Sequence, residues 1–427
     1  MNEPIFIARQ DTLEQEILPA HWLAQYKLFG EESYTFQDKE IWKKLCMSSA
    51  AANDRDMHAE ALEEMLTTFS AEHTGKWMLT VYGMDAAVLE GLASMAAIAA
   101  NGTAMAAVAG NALLMHAITN SETAMQAISR SQTAMQRIAN STTAMDAISG
   151  SKIARGAVQA SPYYNSYIKE NDMAIAKLVV GFANLASAGY SGMAGVAADA
   201  TAMNAVAASS TAMNAVAASS VARNASSASP YYDAKIKEND MAIAKLVVGF
   251  ANLESARYSG CAGMAADSTA MTAVAASSTA MTAVAASGVA LKAIAQAYKK
   301  TANMLQFLKA VNASDTLVKR IYSTLTNATA LFGAAQLGSQ DSVENANSWA
   351  TTSAAPNAFL ACACGYYGSS SDSVSVTYNG TVIAQKKTGT AKPGSVTSTN
   401  VNAITMAPST FTENGDGYLA VQKFTAK

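Results

Sequence analysis

Glu170 with Asp172, and Glu238 with Asp240, place two carboxylates close together at matching points of the chain. Such pairs can do glycoside hydrolysis, one group as acid and the other as base or nucleophile. Both pairs also stand early in a predicted helix, where negative charge favours the N-terminal dipole, and that structural role is the simpler account. A second cluster, Asp56, His58, Glu60, Glu63 and Glu64, has metal-ligating side chains but no second ligand motif beside it, so it reads as a solvated helix face. The four histidines are His21, His58, His73 and His116. Nothing beyond position 116 supplies a histidine base, which removes the histidine form of a catalytic triad from the distal part of the chain. Cys46, Cys261, Cys362 and Cys364 show neither metal-ligand nor thioredoxin-like spacing. Cys362-Ala-Cys364 reads as two small thiols turned inward on a strand. No catalytic residue, metal or cofactor is expected.

The elements that carry these residues are repetitive. Methionines fall every ten residues at Met105, Met115, Met125, Met135 and Met145, with Arg155 in the next slot. The series resumes at Met203, Met213 and Arg223, then at Met271, Met281 and Leu291. Four residues before each slot stands a helix-capping type: Asn101, Asn111, Ser121, Ser131, Ser141, Ser151, Asp199, Ser209, Ser219, Asp267, Ser277 and Ser287. Each decapeptide therefore starts its own helix. Gly110, Asn120, Asn140 and Gly150 are types that tolerate a left-handed helix end, with Arg130 the exception. The slot residue and the apolar residue three positions later, as in Met125 with Ile128, Met135 with Ile138 and Met145 with Ile148, share one helix face. A continuous helix would rotate that stripe by about 80° per decapeptide. Short helices re-aimed at each cap are the preferred reading for 101–160. In later units Ala occupies the stop position (Ala208, Ala218, Ala276, Ala286), and a continuous helix is nearly as good. Isolated helices of this length are marginal, so the stripes must pack on neighbouring units or on other chains.

A longer period lies on top. Ser161-Pro162-Tyr163-Tyr164 through Leu185 returns as Ser229-Pro230-Tyr231-Tyr232 through Leu253, 68 residues later. Serine as cap and proline at the first helical position predict one longer helix in each block. Arg155 and Arg223 precede these blocks and are expected to pair with a carboxylate or carbonyl.

The resulting expectation is a mixed, mostly α chain with a C-terminal antiparallel β-sandwich. Residues 1–85 form an N-terminal helical domain and 86–160 a decapeptide-repeat shaft. Residues 161–228 and 229–296 are two duplicated shaft units, 297–335 is helical and 336–356 is a linker. Residues 357–427 form the sandwich, signalled by Asn379-Gly380 between strand-like runs. Lys+Arg 29 against Asp+Glu 32 leaves no basic excess for nucleic acid. The start carries no basic region followed by an apolar core, so no secretory signal is read. The uncharged stretch from Gly91 to Met115 is only weakly hydrophobic and is not expected to span a membrane.

Tandem Ser-x-Thr-Ala-Met-x-Ala-Ile units, as in Ser121 to Ile128 and Ser141 to Ile148, resemble the Ala-rich repeats of tail-fibre and tail-collar proteins of phages and prophages. The resemblance covers roughly 101–296. It implies a virion appendage, usually a homotrimer, made in the host cytoplasm and mounted by its N-terminus on a tail, baseplate or neck protein. The C-terminus would face a host-surface receptor, with Tyr366, Tyr367 and Tyr418 as candidate contacts. The chain departs from the pattern in lacking a collagen-like tract, a triple β-helix pattern and a His-x-His ladder. Two other functions fit parts of the sequence: an ice- or surface-binding repeat protein, through Thr123, Thr133 and Thr143, and a polysaccharide-degrading appendage, through Glu170 and Glu238.

Overall fold

Each decapeptide folds as one short helix opened by an extended cap residue, which at Ser131 and Ser141 is preceded by one further turn residue, Arg130 and Asn140. Asn101 has φ −95° and ψ 116°. Its N–H donates to Ile98 O and closes the preceding helix, while its side chain accepts from Thr103 N and Ala104 N and opens the next. One residue is thus the end of one helix and the cap of another. The computed structural model describes Val88, Leu92 and residues 94–427 apart from 298–300, 341–347, 352–356, 367–372, 388–394, 407–408 and 415–416. The expected N-terminal domain 1–85 lies outside the described residues.

The described residues up to Ala205 and those from Val206 onward form two compact units. In the first, helices α1 (Met95–Ala100), α2 (Gly102–Gly110), α3 (Ala112–Asn120), α4 (Glu122–Ser129), α5 (Gln132–Ala139), α6 (Thr142–Gly150) and α7 (Lys152–Gln159) follow at the ten-residue period. The chain turns by 100° between α2 and α3. Repeating that turn brings every fourth helix back alongside the first of its set, so α1 packs on α4, α2 on α5, α3 on α6 and α4 on α7. This is a three-sided helical coil, and it answers the wandering-stripe problem. Re-aiming at each cap keeps every stripe pointed inward, where Met105, Met115, Met125, Met135 and Met145 are all fully buried with Ile128, Ile138 and Ile148. The packing partners are neighbouring turns within the unit.

A ladder of hydrogen bonds joins those turns. The hydroxyls of Ser131, Ser141, Ser151 and Ser161 donate to the carbonyls of Ala99, Ala109, Thr119 and Ser129 at 2.5–2.6 Å, each from 32 residues away. The same oxygens of Ser131, Ser141 and Ser151 accept from the first turns of their own helices. A capping serine therefore satisfies an orphan N–H and an orphan C=O together. Ser141→Ala is expected to cost about 1 to 2 kcal/mol, the sum of a lost cap and an unmade carbonyl bond. Ser141→Asp should restore only the cap. Amide exchange at Ala144 and around Ala109 reads the two effects separately, and an unchanged rate at both would refute the ladder.

Two expectations are corrected here. The left-handed stops at Gly110, Asn120, Asn140 and Gly150 do not form: among the described residues positive φ occurs at Asn184, Asn252, Asn357, Asn379 and Gly380 alone. The extended cap residue makes the turn, so no left-handed residue is needed. Second, Ser161-Pro162 does not open a long helix. Ser161 accepts from Tyr163 N in a turn, α8 (Tyr164–Tyr167) is one turn long, and Asn171 caps α9 (Asp172–Phe182). Ser161 and Asn171 each stand ten residues after the previous cap, so the decapeptide rhythm runs through the block. In the later units, where the sequence left broken and continuous helices nearly even, the helices are broken like the early ones. After α10 (Met193–Ala197), helices α11 (Ala200–Ala208), α12 (Ser210–Ala218) and α13 (Ser220–Ser227) are separate. In the second copy a π-helical turn, Asp233–Lys237, replaces α8, and α14 (Asp240–Phe250), α15 (Cys261–Ala266), α16 (Ser268–Ala276), α17 (Ser278–Ala286) and α18 (Gly288–Gln296) follow. The turn between α16 and α17 is 105°. Met203, Met213 and Met271 are fully buried and Met281 is 1 % exposed.

The true left-handed stops sit at the end of the long helices. Asn184 has φ 58°, and Leu185 N donates to Val180 O at 2.9 Å while Asn184 N donates to Gly181 O at 3.0 Å. Asn252 repeats this with Val248 and Gly249. These are the paired bonds that end a helix on a left-handed residue.

The second unit continues with α19 (Thr301–Asn312) and α20 (Asp315–Asn327), then, among the described residues, eight strands: β1 (Phe332–Gln340), β2 (Ser348–Thr351), β3 (Ala358–Tyr366), β4 (Ser373–Tyr378), β5 (Thr381–Lys387), β6 (Val401–Met406), β7 (Ser409–Asn414) and β8 (Gly417–Ala426). They form two antiparallel four-stranded sheets, β1-β8-β3-β6 and β2-β7-β4-β5. The segment expected to be a linker, 336–356, thus contributes β1 and β2. Its small Gly, Ala and Ser side chains concealed the signal, because β1 is held by backbone pairing to β8 rather than by a strong apolar alternation. Asn379 and Gly380, at φ 51° and 75°, make the expected two-residue hairpin between β4 and β5. From Ala358 to Ala363 every residue of β3 is buried, because the sheet is covered by helices as well as by its partner.

Edge strand β6 is closed by a side chain. Asn312 donates to Ile404 O at 2.7 Å and accepts from Ile404 N at 3.0 Å, imitating a neighbouring strand. Asn312→Ala is expected to destabilise the sandwich by about 2 kcal/mol, since both groups of Ile404 are left buried and unpaired. Urea unfolding followed by tryptophan-independent circular dichroism would measure it, and a loss below the scatter of repeat curves would show the pairing to be incidental.

Candidate functional site

The 68-residue duplication carries one buried charged centre in each copy. Lys177, on α9, is fully buried. Its Nζ donates to Asp146 Oδ1 at 2.6 Å and to Ser187 O at 3.1 Å, and Ser187 Oγ donates to the same carboxylate oxygen at 2.5 Å. Asp146 comes from α6, the helix on which α9 packs, and lines an open groove of about 730 Å³ with His116, Asn120 and Thr143. The second centre repeats the geometry with different charge. Lys245, also fully buried, donates to Asn214 Oδ1 at 2.7 Å and to Ser255 O at 3.0 Å, with Ser255 Oγ donating to Asn214 Oδ1 at 3.0 Å. The aspartate of the first copy is an asparagine in the second. Burial without a carboxylate lowers the Lys245 pKa from its ordinary value.

The carboxylates singled out in the sequence have structural partners. Asp172 Oδ1 accepts from Met193 N at 2.8 Å and Asp240 Oδ1 from Cys261 N at 2.9 Å, which ties the start of each long helix to the helix after its loop. Glu238 accepts from Gly288 N and Val289 N, both at 3.1 Å, at the first turn of α18. These contacts use the carboxylates as anchors for the starts of other helices, while Asp172 and Asp240 also stand in the first turns of their own, as expected from the helix dipole. Arg155 donates to Ser149 O, and Arg223 to Ala217 O at 2.5 Å. Each guanidinium also stands over an aromatic ring, Phe182 at 5.7 Å and Phe250 at 5.8 Å. A carbonyl is therefore a partner of the arginine that ends each decapeptide run.

Asp199 and Asp267 cap α11 and α16 and accept a phenolic hydrogen bond, from Tyr190 and Tyr258 respectively, each at 2.8 Å. The Ala202 N–H, followed by the Tyr190 hydroxyl, holds Asp199 below the usual carboxylate value; at Asp267 the Tyr258 hydroxyl leads, followed by the Ala270 N–H. A depressed folded pKa means stability that is complete above the unfolded value and lost as pH falls through the folded one. Acid is thus expected to loosen α11 and α16 first below the ordinary carboxylate range, and Asp199→Asn should flatten that dependence at α11. Amide exchange across a pH series down through that range is the check; the same acid profile in wild type and Asp199→Asn would contradict it.

The remaining candidates are more briefly placed. Tyr366 and Tyr418 lie on the paired strands β3 and β8, one residue out of register with each other. Tyr367, Cys46 and the cluster Asp56, His58, Glu60, Glu63 and Glu64 lie outside the described residues, as do His21 and His73. Among the described residues no three His, Cys, Asp or Glu side chains gather as metal ligands. Cys261 and Cys362 are buried thiols. No single described helix is long and apolar enough to cross a membrane. The two lysine centres were missed in the sequence because Lys177 and Lys245 sit inside an otherwise apolar run, where their partners 31 residues away leave no local signal.

No protein-family model matches this chain, and no curated protein compared with it shows significant similarity.

Proposed function

We propose that this chain is a non-enzymatic structural component of a bacteriophage particle. In this reading the decapeptide coils serve as shaft and the C-terminal sandwich makes adhesive or assembly contacts. The observation that carries it is the serine ladder, in which the recurring polar side chain of each repeat is spent on caps and on bonds between turns. Repeats of this kind lengthen by duplication while keeping their main packing, as the 68-residue copy illustrates in repeating the buried lysine centre. The likeness of Ser121 to Ile128 to phage fibre repeats supplies the biological setting, including mounting at tail, baseplate or neck. A homotrimer is proposed from that likeness alone, because the methionine stripes are already buried within each unit. Tyr366, Tyr367 and Tyr418 remain the proposed receptor contacts.

The ice-binding reading is less well supported. Thr123, Thr133 and Thr143 stand on successive helices, and successive helices change direction, so they do not line up as a flat array. Negative-stain electron microscopy of the purified full-length chain, with sedimentation to count subunits, tests the proposal. Extended particles with a terminal knob and a trimeric mass are expected; compact monomers would overturn it.

A further inference from the structure

We propose that Lys245 and Asn214 join as an intramolecular amide, the lysine Nζ replacing the Nδ2 nitrogen on Cγ of Asn214 and ammonia leaving. The two side chains come from α14 and α12, helices packed on each other, and are already in hydrogen-bond contact at 2.7 Å. Holding amine and carbonyl together in fixed geometry turns a slow bimolecular reaction into a unimolecular one. Asn214 Oδ1 receives a second donor, the Ser255 hydroxyl at 3.0 Å. That hydroxyl is not the attacking group, so it stays on the oxygen and stabilises the negative charge that grows there as the nitrogen adds.

The amine must be neutral to attack. Lys245 is fully buried, its contacts within this centre are carbonyl oxygens rather than a carboxylate, and burial lowers its pKa, so the free amine is more accessible than on an exposed lysine. The bookkeeping of atoms is complete without a co-reactant. The Nζ–Cγ bond forms, a proton passes from Nζ to Nδ2, the Cγ–Nδ2 bond breaks, and ammonia departs. Asn214 is only partly buried, which leaves an exit to solvent.

The first copy is the built-in comparison. Lys177 faces Asp146 in the same geometry, but there an ammonium and a carboxylate form an ion pair. A carboxylate is a poor electrophile, and the pair would have to be neutralised before any bond formed. The Lys177 centre therefore stays ionic while the Lys245 centre closes, and the bond ties together two helices 31 residues apart at this point of the chain. This holds whether or not the protein belongs to a phage particle.

Mass spectrometry of the intact, full-length protein tests it. The expected mass is about 17 Da below that of the sequence, the loss of one ammonia. Tryptic digestion should yield a branched peptide containing both Lys245 and Asn214, with no cleavage after Lys245. Lys245→Arg and Asn214→Ala should each restore the full mass, and the wild-type measurement stands even if either variant folds poorly. An unchanged wild-type mass with cleavage after Lys245 overturns the proposal. So does a 17 Da loss confined to one unbranched peptide, which marks cyclisation of an asparagine instead.

Discussion

Asp146→Ala is expected to destabilise the first unit by about 3 kcal/mol, because it removes one partner of a buried ion pair and leaves the other without compensation. Lys177 is fully buried and would keep only the Ser187 carbonyl among the contacts described above. The side chain of Asp146 is 29 % exposed, so water entering the groove softens the loss and keeps it at the lower end of the range. The chain itself supplies the comparison: Asn214 serves the second copy as a neutral acceptor. Asp146→Asn should therefore cost clearly less than Asp146→Ala, and Asp146→Ala combined with Lys177→Met should recover most of the loss. Native-state hydrogen exchange of α6 and α9 measures this locally, which suits a repeat protein whose segments need not unfold together. Equal losses for the alanine and asparagine variants would mean that the charge and its hydrogen bonds do not hold this layer together.

A single methyl group at Gly181 is expected to have an effect of similar size. Helix α9 crosses the end of α6 so closely that a β-carbon at Gly181 would lie 2.5 Å from Ser149 O and 3.0 Å from Ser149 Cα. The obstacle is backbone, which cannot rotate out of the way as a side-chain end would. Gly181→Ala should cost about 3 kcal/mol, at the upper end of ordinary overpacking, despite alanine's better helix propensity. Gly249 is the corresponding residue of the second copy and meets Ala217 in the same way. Gly110 provides the control, since nothing lies within 4 Å of a β-carbon there. Gly110→Ala should be neutral or mildly stabilising. Thermal melts of the two variants side by side would decide the point, and a Gly181→Ala protein as stable as wild type would show that α9 is free to move away.

The broken decapeptide helices were legible because cap and stripe reinforce each other in every unit. Ser131 before Met135 and Ile138 states where a helix begins and which face it buries, and both signals are local. What replaced the expected left-handed stops was less legible. Gly110 and Asn140 have the right residue types for such a stop, but the residue after a decapeptide is a cap in extended conformation, and that conformation alone makes the turn. The later units lack stop residues at Ala208 and Ala276 and break all the same, for the same reason.

By itself the sequence determined the period, the caps, the inward methionines and the Asn379-Gly380 hairpin, all of which depend on residues within a few positions of one another. Only the tertiary structure decided that three helices make one turn of the coil, because the angle at each cap is a property of the folded backbone rather than of residue type. It alone paired Lys177 with Asp146 and Lys245 with Asn214, matched the hydroxyls of Ser131, Ser141, Ser151 and Ser161 with carbonyls 32 residues back, and recruited the unpatterned residues 332–340 and 348–351 as strands. Those contacts join groups that are distant along the chain, so their spacing in the sequence carries no mark of them until the coil has closed.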